Sequence, residues 1–277
     1  MNNWHKQKQW YASQDLEISK TWYSSVAEAY NRVRPRYPQE LCDRAIEVVQ
    51  LHPDATILEI GSGPGNATIG FAKLGFSMVC LEPSRESCQF LESNCSAYSQ
   101  IEIMNTSFEE WKLEPEKFDV VLAANSFHWI PPEVSYGKTA NALKQEGHLI
   151  LLWNLQPEPR YEEYTILQEV YQKYAPSLSR YEGRNKQEEV LKNFGDEILK
   201  SGQFRDLISE QIPCQVTYSV DDYLLLLDTF SPYQRIEKRD RELLFTGLRE
   251  RIEKDFDGKI ELSYLSAFHI ARKMSLK

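Results

Sequence analysis

Thr56–Ile60 (TILEI) runs without a break into glycines at 61, 63 and 65, and this one junction constrains the fold more than any other stretch. A short β-rich run ending in a glycine cluster reads as a buried strand entering a tight turn. A helix is expected next, from about Asn66 to Leu74, closed by Gly75. The same alternation then repeats. Ser77–Glu82 reads as a strand, Ser84 as the N-cap of a helix running to about Asn94, and Ile101–Asn105 and Phe118–Ala124 as two more strands. Glu133–Lys144 has a helical pattern, Gly147 is expected to break it, and His148–Trp153 is a fifth strand. Strands alternating with helices of this size predict an α/β fold, a doubly wound parallel sheet covered on both faces.

Beyond Trp153 the pattern changes. Gln156–Pro159 reads as a proline-bearing linker, and Tyr161–Lys200 as mostly helical, broken near Pro176 and Gly183. Ile208–Tyr218 and Ile260–Ile270 alternate as strands, with helices over Val220–Phe230 and Arg239–Phe256. The expected core is therefore residues 31–154 with 203–219 and 258–273. Residues 1–30, 155–202 and 220–257 form an arm and helical cap over the site. The arm is strongly aromatic, with Trp4, Trp10, Tyr11, Trp22, Tyr23 and Tyr30. Such side chains suit docking on a core and also roofing a ligand pocket.

Composition removes several classes of function. A net charge of −9, with no long block of like charge, repels nucleic-acid phosphate. No apolar run approaches the roughly 20 residues of a membrane span, and no apolar leader is visible, so a cytosolic, membrane-free protein is expected. Five cysteines without a CxxC pair support neither a disulfide framework nor a zinc site, and Cys80 reads as a small core hydrophobe. The remaining histidines, at 5, 52, 148 and 269, are too scattered to predict a metal centre.

The glycine turn carries the chemistry. Glycines permit the tight turn and let a ligand approach where a Cβ would collide. A dinucleotide fingerprint would need glycine at position 66, where Asn66 stands, and Pro64 removes an N–H that a pyrophosphate would use. Glu82 ends the next strand, where a carboxylate can accept hydrogen bonds from both ribose hydroxyls.

EIGSGPGNAT, the LEP ending at Pro83, FDVVLAANSFHW and ALKQEGHLILLWN, in this order, resemble the successive motifs of class I S-adenosylmethionine-dependent methyltransferases. AEAYNRVRPRYP, from Ala27 to Pro38, is similar to the small-molecule, trans-aconitate methyltransferase-like branch. The resemblance implies the Rossmann-like seven-stranded fold of that family. It also implies S-adenosyl-L-methionine as methyl donor and S-adenosyl-L-homocysteine as its product. By the same resemblance Gly61, Ser62 and Gly63 line the methionine moiety, and Glu59 braces the loop or meets the ligand's amino group. Glu82 holds the ribose, Pro83 packs on the adenine, and Ser107 and Phe108 flank the adenine edge. Many members carry aspartate at Ser107, so Glu109 or a water is expected to replace it. Asn125 and Ser126 lie beside the methyl-donor end, and Tyr30 and Arg34 are candidates for the ligand's carboxylate.

His128, between Phe127 and Trp129, reads either as a wall of the acceptor pocket or as a general base for an oxygen or nitrogen nucleophile. The expected reaction is methyl transfer to a small molecule bearing a carboxylate, hydroxyl or amine. Two rivals stand beside it. A nicotinamide-dependent oxidoreductase is disfavoured by Asn66 and by the absence of a recognisable Tyr-Lys pair, whereas a non-catalytic S-adenosylmethionine-binding module would carry the same motifs.

Overall fold

A computed structural model describes residues 16–275. Two helices, α1 (Leu16–Val33) and α2 (Gln39–Val49), precede the first strand, β1 (Thr56–Ile60). There follow α3 (Thr68–Ala72), β2 (Ser77–Leu81), α4 (Arg85–Asn94), β3 (Ile101–Met104) and β4 (Phe118–Ala124). A 3-10 turn (Phe127–Trp129), α5 (Pro132–Ala142) and β5 (Leu143–Asn154) complete the parallel half. The second half contains β6 (Glu158–Pro159), α6 (Tyr161–Tyr174), α7 (Gly183–Lys200), β7 (Phe204–Ser219), α8 (Val220–Asp228), α9 (Ser231–Gln234), α10 (Lys238–Asp255) and β8 (Lys259–Lys273).

The strands form one sheet in the order β3-β2-β1-β4-β5-β8-β6, with β7 paired to the other edge of β8. β1 to β5 run parallel, and β8 runs antiparallel to β5, β6 and β7. This is the doubly wound Rossmann-like fold expected, with a two-residue eighth strand where the sequence suggested only a linker. Strand order reverses between β1 and β4, so the glycine turn leaves β1 at the crevice where such sheets bind ligands.

Alternate residues of each strand feed opposite layers. Ile57, Met78, Cys80, Val120, Leu122 and Ile150 pack with Leu41 and Ala45 of α2 and Leu91 of α4. Leu58, Val121, Leu149, Leu151 and Trp153 pack the other way, against Trp111, Ala140, Phe194 and Ile198. A third cluster, including Leu167, Tyr171, Leu224, Leu248 and Leu262, packs α6, α8 and α10 together and against β8. No helix among the described residues is long and apolar enough to cross a membrane.

Two local expectations are corrected. The helix after the glycine turn spans only Thr68–Ala72, because residues 63–67 are consumed by consecutive turns around Pro64 and the left-handed Gly65. Gly147 does not break a helix; it lies inside β5, which begins at Leu143. The register against β4 shifts between Phe118 and Val120, and a Cβ at Gly147 would stand 3.0 Å from the Lys144 carbonyl and 3.1 Å from that of Asp119. Glycine there admits a bulge rather than ending an element.

His269 on β8 is 2% exposed, and its Nδ1 accepts a hydrogen bond from the Trp153 indole N–H at 3.0 Å. Trp153 in turn stacks on Phe194 of α7, ring centroids 3.8 Å apart. Burial drives the imidazole down to about 4, so it is neutral in the folded protein. An ordinary histidine titrates near 6.5, so this contribution to stability is fully present above about 6.5 and is lost as pH falls towards 4. His269→Leu should remove that acid-side slope while costing about 1–3 kcal/mol at neutral pH through the unpaired indole. Melting curves from neutral to acid pH test this; a wild-type-minus-variant difference independent of pH would refute it.

Candidate functional site

The glycine turn is held from below and behind. Glu59, fully buried at the end of β1, accepts a hydrogen bond from the Thr68 hydroxyl at 2.6 Å, pinning the start of α3. Its Oε1 is buried and has no hydrogen-bond partner among the described residues. Glu82 accepts the backbone N–H of Gly63 and that of Ser84, each at 2.8 Å. Burial raises both carboxyls to about 7, although the hydrogen bonds each accepts pull the other way.

The turn's own donors are spent. Gly61 and Ser62 both give their N–H to the Leu81 carbonyl, Gly63 gives its own to Glu82, and Gly65 gives its own to the Ser62 carbonyl. Pro64 has none. This turn therefore lacks the row of free amides with which dinucleotide sheets grip pyrophosphate. Two glycines are required by packing: an added Cβ would meet the Ser126 Cβ at 2.7 Å from Gly61, and Leu91 Cδ1 at 2.8 Å from Gly65. Gly63 is different. A Cβ there would meet nothing within 4 Å.

Gly63 opens instead onto a small cavity bounded by Tyr30, Arg34, Ser62, Asn125 and Asn154. Asn125 is left-handed (φ 51°) and tightly held. Its Oδ1 accepts from the Tyr37 hydroxyl at 2.6 Å and from the Asn154 N–H at 2.7 Å, and its Nδ2 donates to the Asn154 carbonyl at 2.8 Å. Asn154 is fixed in turn by the Ser266 hydroxyl of β8 and by the Pro35 carbonyl. The ends of β4 and β5 thus present a preset polar wall facing the turn.

The structure brings Tyr30, Arg34, Gly61, Ser62, Gly63 and Asn125 together around this cavity. Arg34 already donates to the Thr229 hydroxyl and carbonyl at 2.7 and 2.9 Å, with its guanidinium 3.7 Å over Phe230, so it ties the cavity to the cap. Ser126 turns away and bonds the Ile60 carbonyl. Glu82 and Pro83 lie behind the turn, and a contact between the Ser24 and Ser84 hydroxyls at 3.1 Å lays α1 across that region. Trp4, Trp10 and Tyr11 of the aromatic arm lie outside the described residues, as do the side chains of Trp22 and Tyr23.

Three positions depart from expectation. Ser107 is buried as a local cap, accepting the Glu110 N–H and bonding the Glu110 carboxylate. Phe108 stacks on Trp111 in the core, centroids 6.0 Å apart. His128 does not line the cavity at the turn. The 3-10 turn carries it to the α7 side of the sheet, where its ring lies among Trp129, Trp153 and Phe194. It lines instead a separate small pocket with Phe127, Tyr136, Phe194 and Glu197. Sequence reasoning missed Tyr37, Asn66 and Asn154, although RPRYP and the final Asn of HLILLWN both lie inside quoted motifs.

Residues 57–147 match the family model of a methyltransferase domain. An uncharacterized methyltransferase of Mycobacterium tuberculosis is 29% identical over 144 residues, 52% of this chain and 55% of that protein. A probable S-adenosylmethionine-dependent methyltransferase of Saccharomyces cerevisiae is 28% identical over 181 residues, 62% of this chain and 60% of its own. The alignments thus span little more than half the length of these relatives. A protein assigned as a type II methyltransferase in Anaeromyxobacter dehalogenans superposes with a TM-score of 0.62 at 16% identity, covering 86% of this chain and 97% of its own. At that identity the superposition speaks for the fold. Residues 57–147 are thus similar to a methyltransferase domain, set in a sheet of Rossmann-like fold.

The glycine geometry predicts an order of stabilities. Gly61→Ala and Gly63→Ala share about 1–2 kcal/mol for a left-handed alanine. Only Gly61→Ala adds the collision with Ser126, a further ~1–3 kcal/mol. Chemical denaturation should rank Gly61→Ala as clearly the less stable; equal losses would contradict the open space at Gly63.

Proposed function

We propose that this chain, built on a methyltransferase domain, binds S-adenosylmethionine at the glycine turn and transfers its methyl group to a small molecule enclosed by the cap. The observation that carries this is Gly63, a left-handed glycine whose missing Cβ leaves the cavity open while the neighbouring amides are already occupied. Such a cradle suits a ligand that packs closely and has no phosphate to bind. We place the chain in the small-molecule branch of the class, in keeping with the helical cap and the net charge of −9.

The residues present fit the cofactor. Ser62, Gly63, Tyr30 and Asn125 would hold the methionine end, with Glu59 bracing the turn from beneath, and Glu82 and Pro83 would meet the ribose and adenine. Bound there, the cofactor supplies an already activated methyl group on a sulfonium. The chain's task is then positioning and exclusion of water. Tyr37 and Asn154 lock Asn125 in place, Arg34 fastens α1 to the end of α8, and α1 covers the turn after β2. Glu82, held by two N–H groups, keeps further lone pairs for ribose hydroxyls.

Calorimetry is expected to show binding of S-adenosylhomocysteine and none of NAD, and Gly63→Val should abolish the first while the protein still unfolds cooperatively. Tight NAD binding with no heat from S-adenosylhomocysteine would sink the reading.

A second expectation comes from the raised Glu82 carboxyl, at about 7. Hydrogen bonds donated by ribose hydroxyls favour the ionised form, so affinity should strengthen between about pH 6 and pH 8. Glu82→Gln should weaken binding and flatten that dependence, losing on the order of 1.5–3 kcal/mol at the upper pH. A pH dependence identical in wild type and variant would move the ribose elsewhere.

A further inference from the structure

The cap contains a second, narrow cleft that shares Pro157 with the cavity at the glycine turn. Its walls come from the insertions after β5 and β7. Tyr164 and Tyr171 of α6, Tyr181 before α7, Tyr223 of α8 and Tyr233 of α9 all line it. Five of its lining residues are therefore tyrosines. The Tyr171 and Tyr233 hydroxyls bond each other at 2.9 Å. The Tyr164 hydroxyl is different: the residue is 94% buried (6% exposed), yet this oxygen has no hydrogen-bond partner among the described residues. A buried hydroxyl left without a partner costs free energy that a bound polar group would recover.

Charge narrows what can enter. Arg180 is the one cation among the residues lining the cleft, and it is paired with Glu182 at 3.6 Å. Glu158 also lines the cleft, its carboxylate accepting the N–H groups of Glu182 and Gly183 at 2.9 Å each. One cation against two carboxylates leaves the lining with an excess of negative charge, which disfavours a polycarboxylate or phosphate. Glu158 accepts two backbone N–H groups that offset its charge, and burial holds its carboxyl above the ordinary range, so it is a weak partner for an ammonium group. Flat aromatic walls with hydroxyl edges favour a planar molecule with a hydroxyl of its own.

We propose that this tyrosine-walled cleft is the acceptor site and that it takes an uncharged, planar, hydroxyl-bearing molecule of the phenol class; this rests on the methyl-transfer reading above. The acceptor oxygen forms a bond to the methyl carbon as the carbon–sulfur bond breaks. That electron pair stays on sulfur, the sulfonium becomes a neutral thioether, and the hydroxyl proton passes to water. The Tyr164 hydroxyl binds and orients the acceptor through a hydrogen bond.

The test uses the full chain, tritiated S-adenosylmethionine, and catechol, 2-naphthol, phenethylamine and trans-aconitate as probes. Label should enter the two phenols and neither the amine nor the tricarboxylate. Tyr164→Phe removes one oxygen and should raise KM for the labelled phenol about tenfold, the effect of one hydrogen bond. Affinity for S-adenosylhomocysteine should hold, and the melting temperature should stay level or rise as the unpartnered hydroxyl is removed. Tyr181→Leu, at the half-buried rim, should raise KM in the same direction and keeps the test independent of one variant. Labelling of trans-aconitate or phenethylamine alone, labelling of no probe, or an unchanged KM in both variants would overturn the inference. A protein that binds S-adenosylhomocysteine but ignores phenols loses only this inference, whereas one that does not bind it loses the methyl-transfer reading as well.

Discussion

The hydrogen bond from the Gly63 amide to the buried Glu82 carboxylate, 2.8 Å long, joins the two segments on which the site is built. One end belongs to the turn after β1, the other to the turn after β2, and the same carboxylate also fixes the Ser84 amide that begins α4. Glu59 does the equivalent work beneath, holding Thr68 at the start of α3. Two buried carboxylates thus replace free amides as the organisers of this crevice. The price is desolvation, visible in carboxyls driven up to about 7. The return is a turn whose shape is set before any ligand arrives, with one glycine left open.

The parallel half of the fold was legible because its signals are local. Thr56–Ile60 and Phe118–Ala124 are short apolar runs bounded by turn residues, and both strands have those limits in the structure. Ser84 caps α4 through the Ser87 amide, as a serine before a helical run should. What escaped reading depends on contacts distant in sequence. Gly147 looks like a helix stop until Asp119 is seen pressing on it from the neighbouring strand. Asn154 is an unremarkable strand end until Asn125, Pro35 and Ser266 converge on it.

Side-chain direction was the weakest point of the sequence reading. Phe127–Trp129 follows β4 where a substrate should lie, so His128 invited a catalytic role. A single 3-10 turn sets its direction and delivers the imidazole to an aromatic layer on the α7 side of the sheet. Ser107 was likewise placed correctly along the chain, yet its hydroxyl serves the Glu110 amide. Periodicity locates strand ends, whereas short irregular turns choose which face a residue joins, and they carry no periodic signal.

β8 is the last strand in sequence, yet it lies between β5 and β7 and pairs with both. Asn154 and Ser266, which hydrogen-bond across the β5–β8 seam, are 112 residues apart. During synthesis the parallel half would therefore emerge with β5 as an open, apolar edge, and nothing already made could pair with it. Pairings so distant in sequence form slowly and leave such edges prone to association with other chains. The polar wall at Asn125 shares this dependence, since Asn154 gains its Ser266 bond only when β8 docks. The crevice should then take its final shape late in folding, after β8 has docked.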